Sequence, residues 1–242
     1  MGFRAIAHHS SSFIQEFIKP SSQHLLWRDT VKALIQSIVS ILVFITDRVY
    51  RNRPYPRFYV LETVARVPYF AYLSVLHLYE TLGWWRKADL LKVHFAETWN
   101  ELHHLLIMES LGGNQRWGDR FLAQHAAVGY YWIVVPIYML LPEYAYYMME
   151  LIEQHAYDTY DTYLNENAET LKQQAAPDIA VSYYRDGDLY MFEEMQTNAP
   201  SSFRRPTVDN LYDVFINVRD DESEHVKTMV ACQQAEVRAA FC

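Results

Sequence analysis

Two Glu-x-x-His pairs stand out as the residues able to do chemistry: Glu101 with His104, and Glu222 with His225. Residues three apart on a helix share one face, so each pair can aim a carboxylate oxygen and an imidazole nitrogen at one cation. One such pair is weak evidence: 16 Glu and 10 His in this chain produce about 0.7 of them by chance. Two more glutamates stand at otherwise apolar helical positions, Glu62 after Tyr59-Val60-Leu61 and Glu153 after Met148-Met149-Glu150-Leu151-Ile152. One Glu from each of two helices, with Glu-x-x-His from each of two others, is the ligand set of a two-metal carboxylate site inside a helix bundle. Four carboxylates balance two divalent cations with both imidazoles neutral. Buried without metal, some of them would have to protonate. Oxygen and nitrogen donors with open positions suit iron and dioxygen chemistry; manganese fits as well, zinc less so.

Each choice has a competitor. Glu62 could sit on the surface, paired with Arg66 four residues on. His103 adjoins His104, and the i+3 spacing favours His104. Glu224 has the wrong spacing to share a face with His225. Glu150 competes with Glu153, and nothing local separates them. Tyr160 lies seven residues after Glu153, on the same helix face. In a chain with 19 Tyr that placement is more often packing than radical chemistry.

The elements that must position these residues read as helices. Apolar spacing from Arg57 to Leu82 predicts one helix, ended by Gly83. Arg86 to Leu111 predicts a second, closed by Gly112-Gly113. Asp119 to about Leu164 reads as two helices or one kinked helix, interrupted at Pro136 or Pro142. Pro177 to Pro206, with Gly187 and Pro200 inside it, reads mostly as loop, and Thr207 to Gln234 as a last long helix with Pro206 beside its start. No strand run and no internal repeat is visible.

Composition narrows the class. The chain has 242 residues, 51% of them hydrophobic and 21% charged, enough for a sizeable core in one domain, or one domain with an arm. Only 7 Gly weighs against glycine-rich phosphate loops. A net charge of -8 argues against generic nucleic-acid binding. Cys232 and Cys242 are too few for a cysteine-rich zinc site or a disulfide framework. Residues 1–100 carry a net +5 and residues 101–242 a net -13; a basic, apolar N-terminal half suits an anionic membrane surface.

Met1 to Pro20 does not read as a signal peptide and is short for an organelle transit peptide. Ala33 to Thr46 is a charge-free run of fourteen residues, short of the roughly 18–20 that a spanning helix needs. Ala126 to Pro142 is seventeen residues, aromatic-rich, and reads as a helix lying on or partly in the membrane.

The motifs together resemble the alternative oxidase family, most closely its plastid terminal oxidase branch, over about Arg57 to Gln234. Leu61-Glu62-Thr63 and Asn100-Glu101-Leu102-His103-His104-Leu105 match the first two ligand motifs. Ile152-Glu153-Gln154-His155-Ala156 and Arg219-Asp220-Asp221-Glu222-Ser223-Glu224-His225 are similar to the third and fourth. The spacing from Glu153 to Glu222 is similar to that of the plastid branch, as are Asp178-Ile179-Ala180-Val181 and Asn210-Leu211-Tyr212-Asp213-Val214-Phe215.

The resemblance implies an all-α fold, a ferritin-like four-helix bundle with a di-iron centre and extra membrane-surface (monotopic) helices. It implies an N-terminal arm and amphipathic membrane-associated helix over residues 1–56 and a di-iron domain over 57–242. Glu62, Glu101, His104, Glu153, Glu222 and His225 would hold two iron ions, which chooses Glu153 over Glu150. Tyr160 would be catalytic. Arg57, Leu61, Ile152, His155, Ala156 and Thr159 would bind quinol. Ile152 and His155 depart from the mitochondrial branch. The expected reaction oxidises plastoquinol or a related quinol and reduces O2 to water without proton pumping. The implied setting is a homodimer on a lipid surface, in a thylakoid or cyanobacterial membrane, with no nucleic-acid partner. The rival expectations are a di-iron membrane hydroxylase and a non-catalytic iron-binding membrane protein.

Overall fold

The computed structural model of this chain describes residues 22–186 and 206–240. The readings of Met1 to Pro20, of residues 187–205 within the expected loop, and of Cys242 lie outside the described residues. The chain divides into two units, residues 1–38 and 39–242, whereas the sequence reading divides it after residue 56. Among the described residues every regular element is helical.

Helix α1, Ser22–Val49, runs through that division. It outruns the charge-free segment at both ends, and its stretch Leu26–Val49 is 24 residues, long and apolar enough to cross a membrane by length and composition. The expectation that this segment falls short of a span is therefore corrected for its length. The reason is that Arg28, Asp29 and Lys32 sit inside the helix rather than ending it.

The second unit then builds α2 (Pro54–Ala65), α3 (Val67–Thr81), α4 (Ala88–Ser110), α5 (Trp117–Leu140) and α6 (Pro142–Leu171). A short α7 (Asp178–Ala180) runs into a π-helical turn, Val181–Arg185, followed by α8 (Leu211–Cys232) and α9 (Ala235–Ala240).

The boundaries have local causes. The single helix expected over Arg57–Leu82 is two, because Pro68 has no N–H to give to the preceding turn. Around it the bonds from Arg66 N to Glu62 O and from Phe70 N to Arg66 O stretch to 3.5 Å. Pro136 stays inside α5, and the interruption falls at Leu141, pushed out of the helical region (φ -143°, ψ 62°) by Pro142 after it. Gly112 ends α4 at φ +83°, and a Cβ on Gly113 would meet Tyr55 O at 2.7 Å and Tyr59 Cβ at 2.8 Å. The last long helix begins at Leu211 rather than Thr207, because Asn210 caps it by accepting from Asp213 N at 3.1 Å. The described part of the expected 177–206 loop is partly helical.

Four buried stripes with steps of three or four residues define the bundle. They are Phe58-Glu62-Ala65-Tyr69-Tyr72 on the kinked pair α2–α3, Leu90-His94-Glu97-Glu101-His104-Met108 on α4, Tyr146-Met149-Glu153-Ala156-Tyr160 on α6, and Phe215-Val218-Glu222-His225-Met229 on α8. One apolar cluster gathers Phe58, Met108, Tyr160 and Phe215. A second gathers Tyr69, Tyr72, Leu90, Tyr146, Met149 and Met229. On each stripe the expected ligands fall between the two clusters. Since α2 and α8 meet the first cluster first while α4 and α6 meet the second first, the two pairs run antiparallel. The closest packing is α6 along α8, with α2 and α3 against α4 and α5.

Candidate metal centre

Hydrophobic periodicity asks for apolar residues at the centre of all four stripes, and glutamate and histidine occupy them. Glu62 and Glu222 are about 1% exposed as side chains, and Glu101, His104, Glu153 and His225 are fully buried. The six converge as two groups that could each hold a metal ion: Glu62, Glu101, His104 and Glu222, and Glu101, Glu153, Glu222 and His225. Within each group the ligand atoms lie within 4.8 Å of one another. Glu101 and Glu222 belong to both groups, so each can offer one oxygen to either ion, while Glu62 with His104 and Glu153 with His225 close the two ends.

The distances fit that division. His104 Nδ1 lies 3.1 Å from Glu222 Oε1, 3.7 Å from Glu62 Oε2 and 3.8 Å from Glu101 Oε1. His225 Nδ1 lies 2.9 Å from Glu101 Oε1, 3.5 Å from Glu222 Oε2 and 3.7 Å from Glu153 Oε1.

The donor set fits metal by its hydrogen bonding as well. Glu62 Oε2, Glu153 Oε2, both oxygens of Glu101 and of Glu222, and His104 Nδ1 are buried with no aligned hydrogen-bond partner. So many unsatisfied acceptors in one place are unstable unless cations fill them.

The competitors point elsewhere. His103 stacks on Tyr183 at 3.9 Å and bonds Trp99 O through Nδ1. Glu224 pairs with Lys227 at 2.9 Å. Glu150 accepts from Gln233 Nε2 at 2.6 Å.

Residues around the ligands aim them. His104 Nε2 lies 3.3 Å from Asp221 Oδ2, which also accepts from Asn100 Nδ2 at 2.8 Å and Tyr184 OH at 2.9 Å. That carboxylate fixes the ring tautomer and turns Nδ1 toward the centre, the usual support of a metal-binding histidine. Each end carboxylate also receives a tyrosine: Tyr160 OH donates to Glu62 Oε1, and Tyr69 OH donates to Glu153 Oε1 at 2.5 Å. Sequence reasoning found Tyr160 and gave no role to Asp221, Asn100, Tyr184 or Tyr69. The available signal was Asp221 one residue before Glu222 and Asn100 one before Glu101, each a polar residue on a core face.

Without metal, the electrostatics distribute protons. Burial, reinforced by Glu101 and Glu222, pushes the Glu62 and Glu153 carboxyls well above their ordinary range. Burial opposes charge on His104 and His225, yet the surrounding carboxylates outweigh it and hold both above the usual histidine range. Burial also opposes charge on Glu222, but the two imidazoles prevail and hold it below the usual carboxylate range.

A group that binds protons more tightly folded than unfolded stabilises the fold below its unfolded pKa and loses that contribution as pH rises toward its folded value. Metal-free protein should therefore melt at progressively lower temperature as pH rises beyond the ordinary Glu and His values, 4.5 and 6.5. The opposite contribution of Glu222 changes only below 4.5. Thermal melts of chelator-stripped protein from about pH 5 to 8.5 check this; a melting temperature that rises across that window would contradict it.

Of the remaining expected site residues, Arg57, His155 and Thr159 come together on one cavity beside Phe58, while Ile152 packs against the second apolar cluster. A cavity of about 680 Å³ is lined by Arg57, His155 and Thr159, with Asp47, Phe58, Asp158, Tyr163 and others around them. Arg57 Nη2 donates to Thr159 Oγ1 at 3.2 Å and pairs with Asp47 Oδ1 at 2.6 Å. Burial lowers the His155 imidazole, which leaves it neutral and able to accept a proton at neutral pH. Leu61, Ile152 and Ala156 are not part of this lining; Ala156 is buried at 1% exposure in the bundle. The cavity connects to the centre through Phe58, whose ring stacks on Tyr160 at 4.3 Å.

Comparison with known proteins agrees with the geometry. Residues 15–234 match the family model described as "Alternative oxidase". The chain is 62% identical over 200 residues to "Ubiquinol oxidase 4, chloroplastic/chromoplastic" of Arabidopsis thaliana, covering 83% of this chain and 56% of that protein. It is 30% identical over 193 residues to "Ubiquinol oxidase, mitochondrial" of Mangifera indica, covering 77% of this chain and 53% of that one. The chain thus spans a little more than half the length of the curated relatives it matches.

Proposed function

The chain belongs to the alternative oxidase family, and we propose that it is a membrane-bound quinol oxidase that reduces O2 to water at a di-iron centre. The observation that carries this reading is the pair of four-ligand groups sharing Glu101 and Glu222, beside a cavity whose wall leads through Phe58 and Tyr160 to Glu62. Iron suits the oxygen and nitrogen donors and would supply dioxygen binding and reduction. Glu62, Glu101, His104, Glu153, Glu222 and His225 would hold it.

The protein's own groups handle the quinol. In the cavity the Arg57 guanidinium is placed to hold a quinol oxygen, with Thr159 fixing its orientation. His155, kept neutral by burial, stands ready to take a quinol proton. Leu61, Ile152 and Ala156, on the same two helices, would flank the path of the quinol toward the centre. Tyr160, fully buried with its phenol held well above the ordinary range by burial and Glu62, stays protonated at rest and would relay single electrons between quinol in the cavity and the metal beside Glu62, its phenolic proton passing to Glu62 Oε1 on oxidation and returning on reduction.

Plastoquinol is the preferred substrate in this reading, because the chain is 62% identical over 200 residues to a quinol oxidase whose name places it in the chloroplast or chromoplast. The scheme joins quinol oxidation to water formation at one site and includes no proton pumping.

The reading places the protein on one face of a thylakoid or cyanobacterial membrane, as a homodimer. Support for a lipid surface comes from the exposed apolar residues of α5, among them Trp117, Phe121, Trp132, Ile133 and Leu140, and from α1. An N-terminal arm and membrane-associated helix over residues 1–56 would tether the di-iron domain, 57–242.

The test is stoichiometry together with one variant. Two quinones should form per O2 consumed, with no oxygenated product, and Arg57→Ala should raise KM for quinol by about 10–100-fold, the loss of one charge-assisted hydrogen bond. An oxygenated product would favour a di-iron hydroxylase. An unchanged KM and rate would remove Arg57 from quinol binding.

A further inference from the structure

A second buried polar cluster lies on the side of the centre away from the quinol cavity, and the function just proposed makes no use of it. On α4, two turns before the ligand pair, His94 and Glu97 occupy stripe positions that packing alone would make apolar. Both are buried, at 0% and 1% exposure. His94 Nδ1 lies 2.8 Å from Glu97 Oε2, and His94 Nε2 lies 2.8 Å from Tyr146 OH. Tyr138 OH lies 2.8 Å from Tyr146 OH.

With Glu97 as a carboxylate, one proton arrangement satisfies the set. A carboxylate accepts only, so Nδ1–H donates to Glu97. Nε2 is then the lone pair, and it accepts from Tyr146 OH, which in turn accepts from Tyr138 OH. The second oxygen of Glu97 has no partner, so the carboxylate keeps capacity to stabilise a charged imidazole. This is the arrangement that one-electron oxidation of a buried phenol requires. A phenol that loses an electron becomes a strong acid, and its proton needs a base already in hydrogen-bond contact. Burial holds the Tyr146 phenol well above its ordinary range, so it stays protonated until it is oxidised.

The cluster is also within reach of the centre. Tyr146 precedes Glu153 by seven residues on α6, and Tyr160 follows it by seven, so both lie on the ligand face, about 10 Å along the helix in opposite directions. Between them stands Tyr69, whose ring is 6.3 Å from His94 and 5.5 Å from His225, and whose hydroxyl holds Glu153.

We infer that Tyr146, with His94 as proton acceptor and Glu97 holding the imidazolium, is a second redox tyrosine serving the metal centre. The inference rests on the quinol oxidase reading, which requires four electrons per O2. Two ferrous ions would supply two, Tyr160 a third, and Tyr146 the fourth. In that step Tyr146 would give one electron to the reduction of O2 at the metal centre and its phenolic proton to His94 Nε2. A later electron, derived from quinol, restores the phenol, and the proton returns from His94.

The experiment uses the iron-loaded, reduced protein mixed with O2 in the absence of quinol and frozen within milliseconds. Electron paramagnetic resonance is read on the Tyr160→Phe variant, so that Tyr160 makes no contribution. A tyrosyl signal is expected there, narrowed by ring-deuterated tyrosine and lost when Tyr146→Phe is added. On the otherwise native protein carrying ¹⁵N-histidine, difference infrared spectra should show an imidazolium forming together with the radical, and His94→Gln should abolish that band. A tyrosyl signal that survives Tyr146→Phe, or a radical formed without imidazolium, would overturn the inference, as would the absence of any second tyrosyl from a protein that turns over quinol. That last outcome would leave the quinol oxidase reading intact. Conversely, a Tyr146 radical in a protein that oxidises no quinol would sink the oxidase reading alone.

Discussion

Glu222→Ala is expected to empty both metal positions at once. Glu222 lies in both four-ligand groups and carries two buried oxygens with no aligned partner. Removing it takes one ligand from each ion and one of the four negative charges that balance them. Loss of a supporting group one step further out typically costs 10–100-fold in metal affinity, so loss of a shared direct ligand should exceed about a hundredfold for both ions. Glu62→Ala and Glu153→Ala touch one group each, and should weaken one position while the other keeps its ion. Iron content by plasma emission spectroscopy, with a titration of the stripped protein, reads the difference. A Glu222→Ala protein that still binds two irons at native affinity would show that the two groups do not share this carboxylate.

The second large effect is expected from Tyr160→Phe: turnover falls by at least about a hundredfold, at the low end of what a positioned proton-transferring group contributes, while iron content stays at two per chain. The variant keeps the ring that stacks on Phe58 and deletes only the hydroxyl that donates to Glu62. Packing should therefore survive and the one-electron route from the cavity should not. Normal turnover at normal iron content would remove Tyr160 from the mechanism. A loss of iron in proportion to activity would make its hydroxyl a support for Glu62 and nothing more.

The six-residue cluster was legible in the sequence because glutamate and histidine at fixed spacing on core faces break hydrophobic patterning, as metal ligands would. Glu62, Glu101, His104, Glu153, Glu222 and His225 occupy core positions where only compensated charge is stable, and the structure brings all six together. What local spacing left open, tertiary packing decides: His103 is drawn away by Tyr183, Glu224 by Lys227 and Glu150 by Gln233, each toward a partner distant in sequence or on the outer face.

Element boundaries were legible only in part. Gly83 and Gly112 mark helix ends through their positive φ. Pro68 breaks a helix that its apolar stripe carries straight through, since side-chain periodicity is indifferent to one missing N–H. Asp221, Asn100, Tyr184 and Tyr69 escaped notice for another reason. They bond to an expected ligand or to the group beside it rather than standing among the expected ligands, and a hydrogen bond between residues 121 positions apart, as from Asn100 to Asp221, leaves no periodic trace. The cavity around Arg57 and His155 likewise draws on Asp47 from the end of α1, an element whose pattern speaks only of membrane.

If the chain oxidises quinol with O2, Glu222 stands at the middle of the site that does so. The most direct test is quinol-driven O2 uptake in membranes containing the native protein or its Glu222→Ala variant, with cyanide present to silence haem oxidases. The account predicts cyanide-resistant uptake with the native protein and none above background with the variant. No uptake from folded, iron-loaded native protein, or equal uptake from both, would contradict it.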